Sequence, residues 1–219
     1  MRSDTARILL VDDHALVRQA LADRLSLEDN FTIVGMAGDA SEAIDMAVEY
    51  QPDIILMDID MPNLNCFDAS SRIISLVKHV NIIFLSAFVY DHYIDSALAV
   101  GAKGYLSKSD SIQTVILAIE QVVNGQVYFS EQVKDRLVID KKPSTRSSNT
   151  KTRLSSLSPR ELEVLGYIAQ GKSTKQVASV MNISAKTVES HTTKLMNKLD
   201  LHNRVELTRF AIREQIALP

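Results

Sequence analysis

The sequence predicts an α/β protein in two parts: a (βα)5 domain followed by a small all-α domain. Three observations carry this. Short apolar runs alternate with stretches of helical spacing up to about residue 125. The stretch Lys141–Thr152 (KKPSTRSSNTKT) then contains no Leu, Ile, Val or aromatic residue. Beyond it, residues 154–216 carry helical spacing and helix-start signals only.

The apolar runs are Ile8–Val11, Thr32–Ala37, Ile54–Met57, Ile82–Leu85 and Gly104–Leu106. Each is short and bounded by polar or Gly residues, as buried strands are. Helical spacing between them is marked by Leu16, Ala20, Leu21 and Leu25, then by Ala43, Ile44, Ala47 and Val48. It continues with Ile73, Ile74 and Val77, then Ile94, Leu98 and Ala99, and last Val115, Ile116, Ala118, Ile119, Val122 and Val123. Near-continuous apolar strands joined by helices imply a parallel sheet covered on both faces. Residues 124–140 form a transition with a short helix expected around Glu131–Leu137, and the stretch after it reads as a flexible linker. Ser158-Pro159-Arg160-Glu161 is a capping box that starts a helix, which stops near Gly171. Further helices are expected over Thr174–Met181, from a Ser184 cap to about Leu199, and from about Arg204 to Ile216.

Composition narrows the class. The 219 residues include one cysteine, Cys66, which excludes an internal disulfide and a cysteine-based zinc site. No apolar run approaches the roughly 20 residues of a membrane helix, and Asp12 and Asp13 break the first one, so no membrane partner and a cytoplasmic location are expected. The net charge of −3 is unevenly spread. Residues 1–130 hold 8 Lys/Arg against 18 Asp/Glu, a net of −10, while residues 151–219 hold 11 against 6, a net of +5. The basic end is the candidate for a polyanion.

In an open parallel sheet, chemistry collects where strands end. Here the first strand ends in Asp12-Asp13, the third in Asp58, the fourth in Ser86 and the fifth in Lys108. Clustered carboxylates repel one another and call for a hard cation, and an oxygen-only set suits Mg2+. One carboxylate can then act as a nucleophile toward phosphorus, with the cation and Lys108 neutralising phosphoryl oxygens and Ser86 donating a hydrogen bond. His14 reads as a helix-start surface residue and Cys66 as a packing residue.

Residues 5–123 resemble the receiver domain of bacterial two-component response regulators. The resemblance rests on Asp12-Asp13, the run Met57-Asp58-Ile59-Asp60-Met61-Pro62, Ser86-Ala87, and Gly104-Tyr105-Leu106-Ser107-Lys108. It implies a flavodoxin-like fold with strand order 2-1-3-4-5, and phosphorylation of Asp58 by a histidine kinase. It also implies Mg2+ held by Asp12, Asp13, Asp58 and the backbone carbonyl of Asp60, and a switch pair of Ser86 and Tyr105 in which Tyr105 turns inward. Two positions depart from the family pattern. Asn65-Cys66 stands where the family usually has Asp-Gly or Asn-Gly, which removes easy access to positive φ. Asp60 brings an acidic side chain beside the pocket, with added repulsion toward a phosphoryl group expected. Small Ala87 leaves the site open.

In the basic part, the expected helix over 184–199 has Val188, Leu195 and Leu199 on one face. Lys186, Glu189, Ser190, Thr193, Lys194 and Asn197 lie on the other, where they can reach base edges or phosphates. Residues 154–216 resemble the four-helix LuxR-type helix-turn-helix domain. The match runs through Leu157-Ser158-Pro159-Arg160-Glu161, Glu163-Val164-Leu165, Ala169-Gln170-Gly171, Val177-Ala178, Ile183-Ser184, Lys186-Thr187-Val188, His191, Lys198-Leu199 and Asn203-Arg204-Val205-Glu206. Together the two resemblances indicate the NarL/FixJ-type response regulators, whose third helix enters the major groove of double-stranded promoter DNA. Lys186, Lys194 and Lys198 are expected on phosphates. Glu189, where relatives often carry Lys, predicts a different preferred DNA sequence. The last helix has two apolar stripes, Val205/Ile212/Ile216 and Leu207/Phe210/Ala211. One faces the core and the other a second copy, which places Val205, Leu207, Phe210 and Ile212 as candidates for a homodimer formed on phosphorylation or DNA binding.

The expected organisation is therefore a receiver at 5–124, a linker at 125–152 and the DNA-binding domain at 153–218. The expected function is a transcriptional regulator rather than an enzyme, beyond the receiver's own Mg-dependent phosphorylation and dephosphorylation chemistry. The competing readings are a small-molecule phosphohydrolase and a protein-interaction module that binds no nucleic acid.

Overall fold

The computed structural model describes residues 5–61, 64–139 and 150–216. Pro62 and residues 140–149 of the expected linker lie outside the described residues. The chain divides into two compact units, Met1–Val89 with Ser96–Asp135 and Tyr90–Asp95 with Arg136–Pro219.

Through the first 135 residues, strands and helices alternate as β1 (Ala6–Val11), α1 (Ala15–Leu25), β2 (Phe31–Ala37), α2 (Ala40–Tyr50), β3 (Ile54–Asp58), α3 (Cys66–Leu76), β4 (Asn81–Ser86), α4 (Asp91–Ala99), β5 (Gly104–Ser107), α5 (Ile112–Val123), β6 (Tyr128–Phe129) and α6 (Glu131–Lys134). The strands pair in the order β2-β1-β3-β4-β5-β6, all parallel. The expected order 2-1-3-4-5 is present, extended by β6, which two residues are too few to announce by periodicity. Gly104 permits that extension. A Cβ at this position would lie 3.0 Å from the Ile83 side chain and 3.1 Å from the Tyr128 carbonyl oxygen.

Strand alternation builds a core on each face of the sheet. Ile8, Leu10, Ile54, Leu56, Ile83, Leu85 and Leu106 pack on one side with Ala22 and Leu25 of α1 and Val115, Ala118, Ile119 and Val122 of α5. Their neighbours Leu9, Ile55, Met57, Ile82, Phe84 and Tyr105 are buried as well. There Phe67 of α3 lies against Phe84 with ring centroids 5.0 Å apart. Leu16, expected on the buried side of α1, is exposed. It stands in the first turn, and the helix buries Ala22 and Leu25 nearer its C-terminal end.

In the second unit, β7 (Leu137–Ile139) pairs antiparallel with β8 (Thr150–Thr152), and a 3-10 turn follows at Leu154–Ser156. Four helices come next, α7 (Pro159–Ala169), α8 (Thr174–Met181), α9 (Ala185–Leu199) and α10 (Arg204–Arg213). Each starts on a side-chain cap. Ser158 and Glu161 form the expected capping box, and Ser173 with Gln176 forms a second. Ser184 accepts from the Thr187 N–H, and Asn203 from the Glu206 N–H. Gly171, at φ +77°, follows α7 where the sequence places a stop, and Asn182 turns the chain between α8 and α9 at φ 56°. α10 ends at Arg213, short of the expected Ile216, where Gln215 takes φ 57° and breaks helical geometry. Val164, Leu165, Ile168, Val177, Val188, Leu195, Leu199, Leu207 and Phe210 form the core of this unit. Among the described residues, no helix is long and apolar enough to cross a membrane.

Candidate functional site

The acidic pocket is assembled at the C-terminal ends of β1, β3, β4 and β5, because parallel strands all deliver that end to one edge. Asp12, Asp58 and Ser86 are buried there. Lys108 follows β5, and its backbone N–H donates to the Ser86 carbonyl at 2.7 Å, which ties the ends of β4 and β5 together. The Lys108 Nζ then reaches Asp58 Oδ2 at 2.7 Å and Asp12 Oδ2 at 2.8 Å. The Asp58 contact is a full hydrogen bond, while the Asp12 contact is an ion pair without hydrogen-bond alignment. The Asp60 N–H donates to Asp58 Oδ1 at 3.2 Å.

The electrostatics follow from these contacts. Burial pushes the Asp58 pKa up, and the bond from Lys108 offsets part of that rise. Burial works against the Lys108 ammonium, but the Asp12 and Asp58 carboxylates outweigh it and raise its pKa. Burial therefore disfavours the charge of Asp58, and Lys108 works in its favour. Cys66, at the start of α3, is buried, and burial followed by the charges of Asp58 and Asp60 pushes its thiol up to about 12. It is a protonated packing residue. Asn65 caps α3 at φ −60° and accepts from the Phe67 N–H at 2.8 Å, and Cys66, where the family has glycine, is the first residue of that helix.

One oxygen each from Asp12, Asp13 and Asp58, with a ring nitrogen of His14, lie within 4.8 Å of one another, so the pocket can bind a metal. Three of the four donors are carboxylates, a set that fits a hard divalent cation. His14 is the exposed helix-start residue that the sequence suggests. It occupies the N-cap position of α1, and its Nδ1 lies 2.7 Å from Asp13 Oδ1.

Ser86 and Tyr105 are both buried. The Ser86 Oγ donates to Asp60 Oδ2 at 3.0 Å and accepts from the Phe88 N–H at 3.1 Å, and the Tyr105 hydroxyl donates to the Phe88 carbonyl at 2.9 Å. The sequence pointed to a phosphoryl oxygen as the Ser86 acceptor and did not suggest Asp60. A cleft of about 130 Å³ lies beside Lys108, lined largely by Val17, Leu21, Leu85, Ile112 and Val115. It is well below the roughly 300 Å³ at which small-molecule pockets begin.

On α9, Lys186, Glu189, Ser190, Thr193, Lys194 and Asn197 are all exposed, while Val188, Leu195 and Leu199 are buried. His191 is half-buried. Lys198, expected on phosphate, also has partners within the protein. Its Nζ lies 2.7 Å from Glu161 Oε2 and donates to the Ser156 carbonyl at 3.0 Å. Glu161 also accepts from the Ser158 N–H at 2.7 Å. Burial alone would raise the Glu161 pKa, but Lys198 and Ser158 outweigh it and hold the carboxyl at about 2. The Lys198 ammonium thus has two partners within the domain. On α10, Leu207 and Phe210 depart from expectation: both are buried in the core with Ala211, which leaves Val205 and Ile212 exposed. Ile216 packs against the same core, because the chain turns after Arg213.

A doubly wound parallel sheet with an acidic pocket at its strand ends, followed by a capped four-helix unit with a polar third helix, defines a receiver joined to a helix-turn-helix module. Comparison with known proteins gives the same result. The response regulator receiver domain family matches residues 8–120, and the luxR family of bacterial regulatory proteins matches residues 155–211. The chain is 34% identical to the oxygen regulatory protein NreC of Staphylococcus aureus over 213 residues, covering 96% of this chain and 98% of that protein. A LuxR-family two-component response regulator from Aurantimonas sp. SI85-9A1 is 30% identical, with a TM-score of 0.57 over 60% of this chain and 94% of that one. The RcsB response regulator of Salmonella typhimurium shares the fold at 22% identity, with a TM-score of 0.73 over 94% of this chain and 98% of that one. The chain belongs to the two-component response regulators of the NarL/FixJ type, which join a receiver to a LuxR-type DNA-binding domain and regulate transcription.

Proposed function

We propose that a histidine kinase phosphorylates this chain on Asp58, and that phosphorylation controls its binding to promoter DNA. The observation that carries this reading is the buried Asp58 carboxylate with Lys108 at 2.7 Å and the Asp12 carboxylate beside it. An Asp58 oxygen attacks the phosphorus of a phosphohistidine. The phosphorus–nitrogen bond breaks, the imidazole leaves with the bonding pair, and an acyl phosphate remains. Lys108 neutralises a phosphoryl oxygen, and Ser86 donates its hydroxyl to another. Asp12, Asp13, Asp58 and the Asp60 carbonyl would hold Mg2+, which would supply positive charge for the transferring group.

In the DNA-binding unit, Lys186 and Lys194 serve phosphates, while Glu189, Ser190, Thr193 and Asn197 face base edges. The exposed Val205 and Ile212 on α10 form the surface for a second copy, so that two α9 helices meet paired half-sites. The receiver (5–124), linker (125–152) and DNA-binding domain (153–218) act as one cytoplasmic switch. The test is phosphorylation of the full chain by acetyl phosphate with Mg2+, followed by gel shift on promoter DNA. Wild type should form an alkali-labile phosphoprotein and bind more tightly after treatment, and Asp58→Asn should do neither. A phosphoprotein formed equally by Asp58→Asn would sink the assignment.

A further inference from the structure

Ser86 is fully buried at the end of β4, so its hydroxyl needs partners within the protein. It has two. It accepts from the Phe88 N–H and donates to a carboxylate oxygen of Asp60, two residues beyond the phosphoacceptor. The Phe88 carbonyl in turn accepts from the Tyr105 hydroxyl, and Tyr105 is buried. One chain of hydrogen bonds therefore runs Asp60–Ser86–Phe88–Tyr105. Its members sit on the loop after β3, the end of β4, the segment after β4, and β5.

An anionic oxygen accepting the Ser86 hydroxyl is what a phosphoryl group on Asp58 would provide. Asp60 provides it with no phosphoryl group present. A charge-assisted hydrogen bond is stronger than a neutral one, and a buried hydroxyl left without an acceptor is costly. The Asp60 contact therefore biases where Ser86 sits. Ser86 is bonded to the Phe88 backbone, and Phe88 to Tyr105, so the bias passes along the segment after β4.

We propose that Asp60 is a positioning residue: its carboxylate is an internal acceptor that seats Ser86 and, through the Phe88 backbone, keeps Tyr105 buried before phosphorylation. The proposal rests on the reading of Asp58 as phosphoacceptor for its consequence, which is that a phosphoryl group must take Ser86 over from Asp60. The unphosphorylated receiver then already holds its switch pair inward. Phosphorylation changes the acceptor of Ser86 and the charge beside it, and Tyr105 need not move from solvent to core.

The test uses the full chain with 3-fluorotyrosine incorporated, without any phosphodonor. The Tyr105 fluorine resonance is assigned by Tyr105→Phe, and its burial is read from its solvent isotope shift. Wild type should show a buried Tyr105. Asp60→Ala and Ser86→Ala should each lower the ratio of buried to exposed Tyr105 by about tenfold, the effect of losing one charge-assisted bond. Asp60→Asn keeps an amide oxygen at the same place and should retain most of the buried signal. An unchanged buried signal in a folded Asp60→Ala protein overturns the proposal. If Asp60→Ala does not fold, an unchanged signal in Ser86→Ala overturns it equally. A larger loss in Asp60→Asn than in Asp60→Ala also counts against it, since removing the acceptor altogether would then matter less than weakening it. Beryllofluoride with Mg2+ is added last. A wild-type protein that shows no fluorine resonance of bound beryllofluoride, or an Asp58→Asn protein that shows the same one, refutes the phosphoacceptor reading of Asp58, while the measurements made before its addition judge Asp60 alone.

Discussion

Replacing Glu161 by Gln removes one charge from the DNA-binding unit and leaves its shape intact. The Gln oxygen can still accept from the Ser158 N–H, so the capping box survives. The charge facing Lys198 at 2.7 Å is what disappears. Glu161 is held at about 2 against an ordinary 4.5. At ~1.36 kcal/mol per pKa unit that shift corresponds to at most about 3.4 kcal/mol. The Lys198 side chain is 39% exposed, against 4% for Glu161, so water screens the pair from one side. Discounting for this leaves roughly 1–2 kcal/mol. At roughly 4–8 °C per kcal/mol for a domain of about 60–100 residues, calorimetry of the full chain at pH 7 should show the helical unit melting about 5–15 °C lower. The pH dependence follows from the sign of the shift. A depressed carboxyl pKa stabilises fully above the unfolded value near 4.5 and loses its contribution as pH falls toward 2. The gap between wild type and Glu161→Gln should be flat from pH 7 to about 6, then narrow steadily as pH falls through the unfolded value near 4.5 toward 2. A gap below about 2 °C at pH 7, or an equal gap at pH 7 and pH 3, would refute the reasoning.

Lys108→Ala should leave Asp58 buried without its cation, which should raise its pKa further. Phosphorylation by acetyl phosphate should slow by roughly 10²–10³-fold, and a rate within threefold of wild type would contradict the role assigned to Lys108. In wild type the raised Asp58 pKa makes the reaction accelerate as pH rises through it. Lys186→Gln and Lys194→Gln should each flatten the dependence of log affinity on log salt by about 0.9. Lys198→Gln should leave that slope unchanged, and a slope lost with Lys198 would return it to the phosphate contacts. Leu207→Ala should destabilise the helical unit by about 2–5 kcal/mol in urea unfolding. Val205→Ala should cost about 0.5 kcal/mol or less yet weaken self-association on DNA, as sedimentation would measure. Equal effects on stability would mean that the two stripes of α10 are not distinguished by burial.

Much of the molecule is written locally in the chain. Continuous apolar runs such as Ile54–Met57 fix buried parallel strands, because both faces of the sheet need covering. Ser158, Pro159 and Glu161 fix where α7 starts, since a capping box is satisfied within one turn. The pocket was legible for the same reason: strand ends can be counted, and parallel strands bring Asp12, Asp58, Ser86 and Lys108 to one edge. Beyond this, the choice depended on partners far apart in sequence. Ser86 takes Asp60 as acceptor from 26 residues away, and Lys198 takes Glu161 from 37. Helical spacing gives α10 two apolar stripes, and only packing against α7 decides that Leu207 and Phe210 go inside while Val205 and Ile212 stay out. Periodicity determines what a residue can face. Which neighbour fills that side is settled by long-range packing, where each buried polar group must find a partner and each apolar stripe competes for one core.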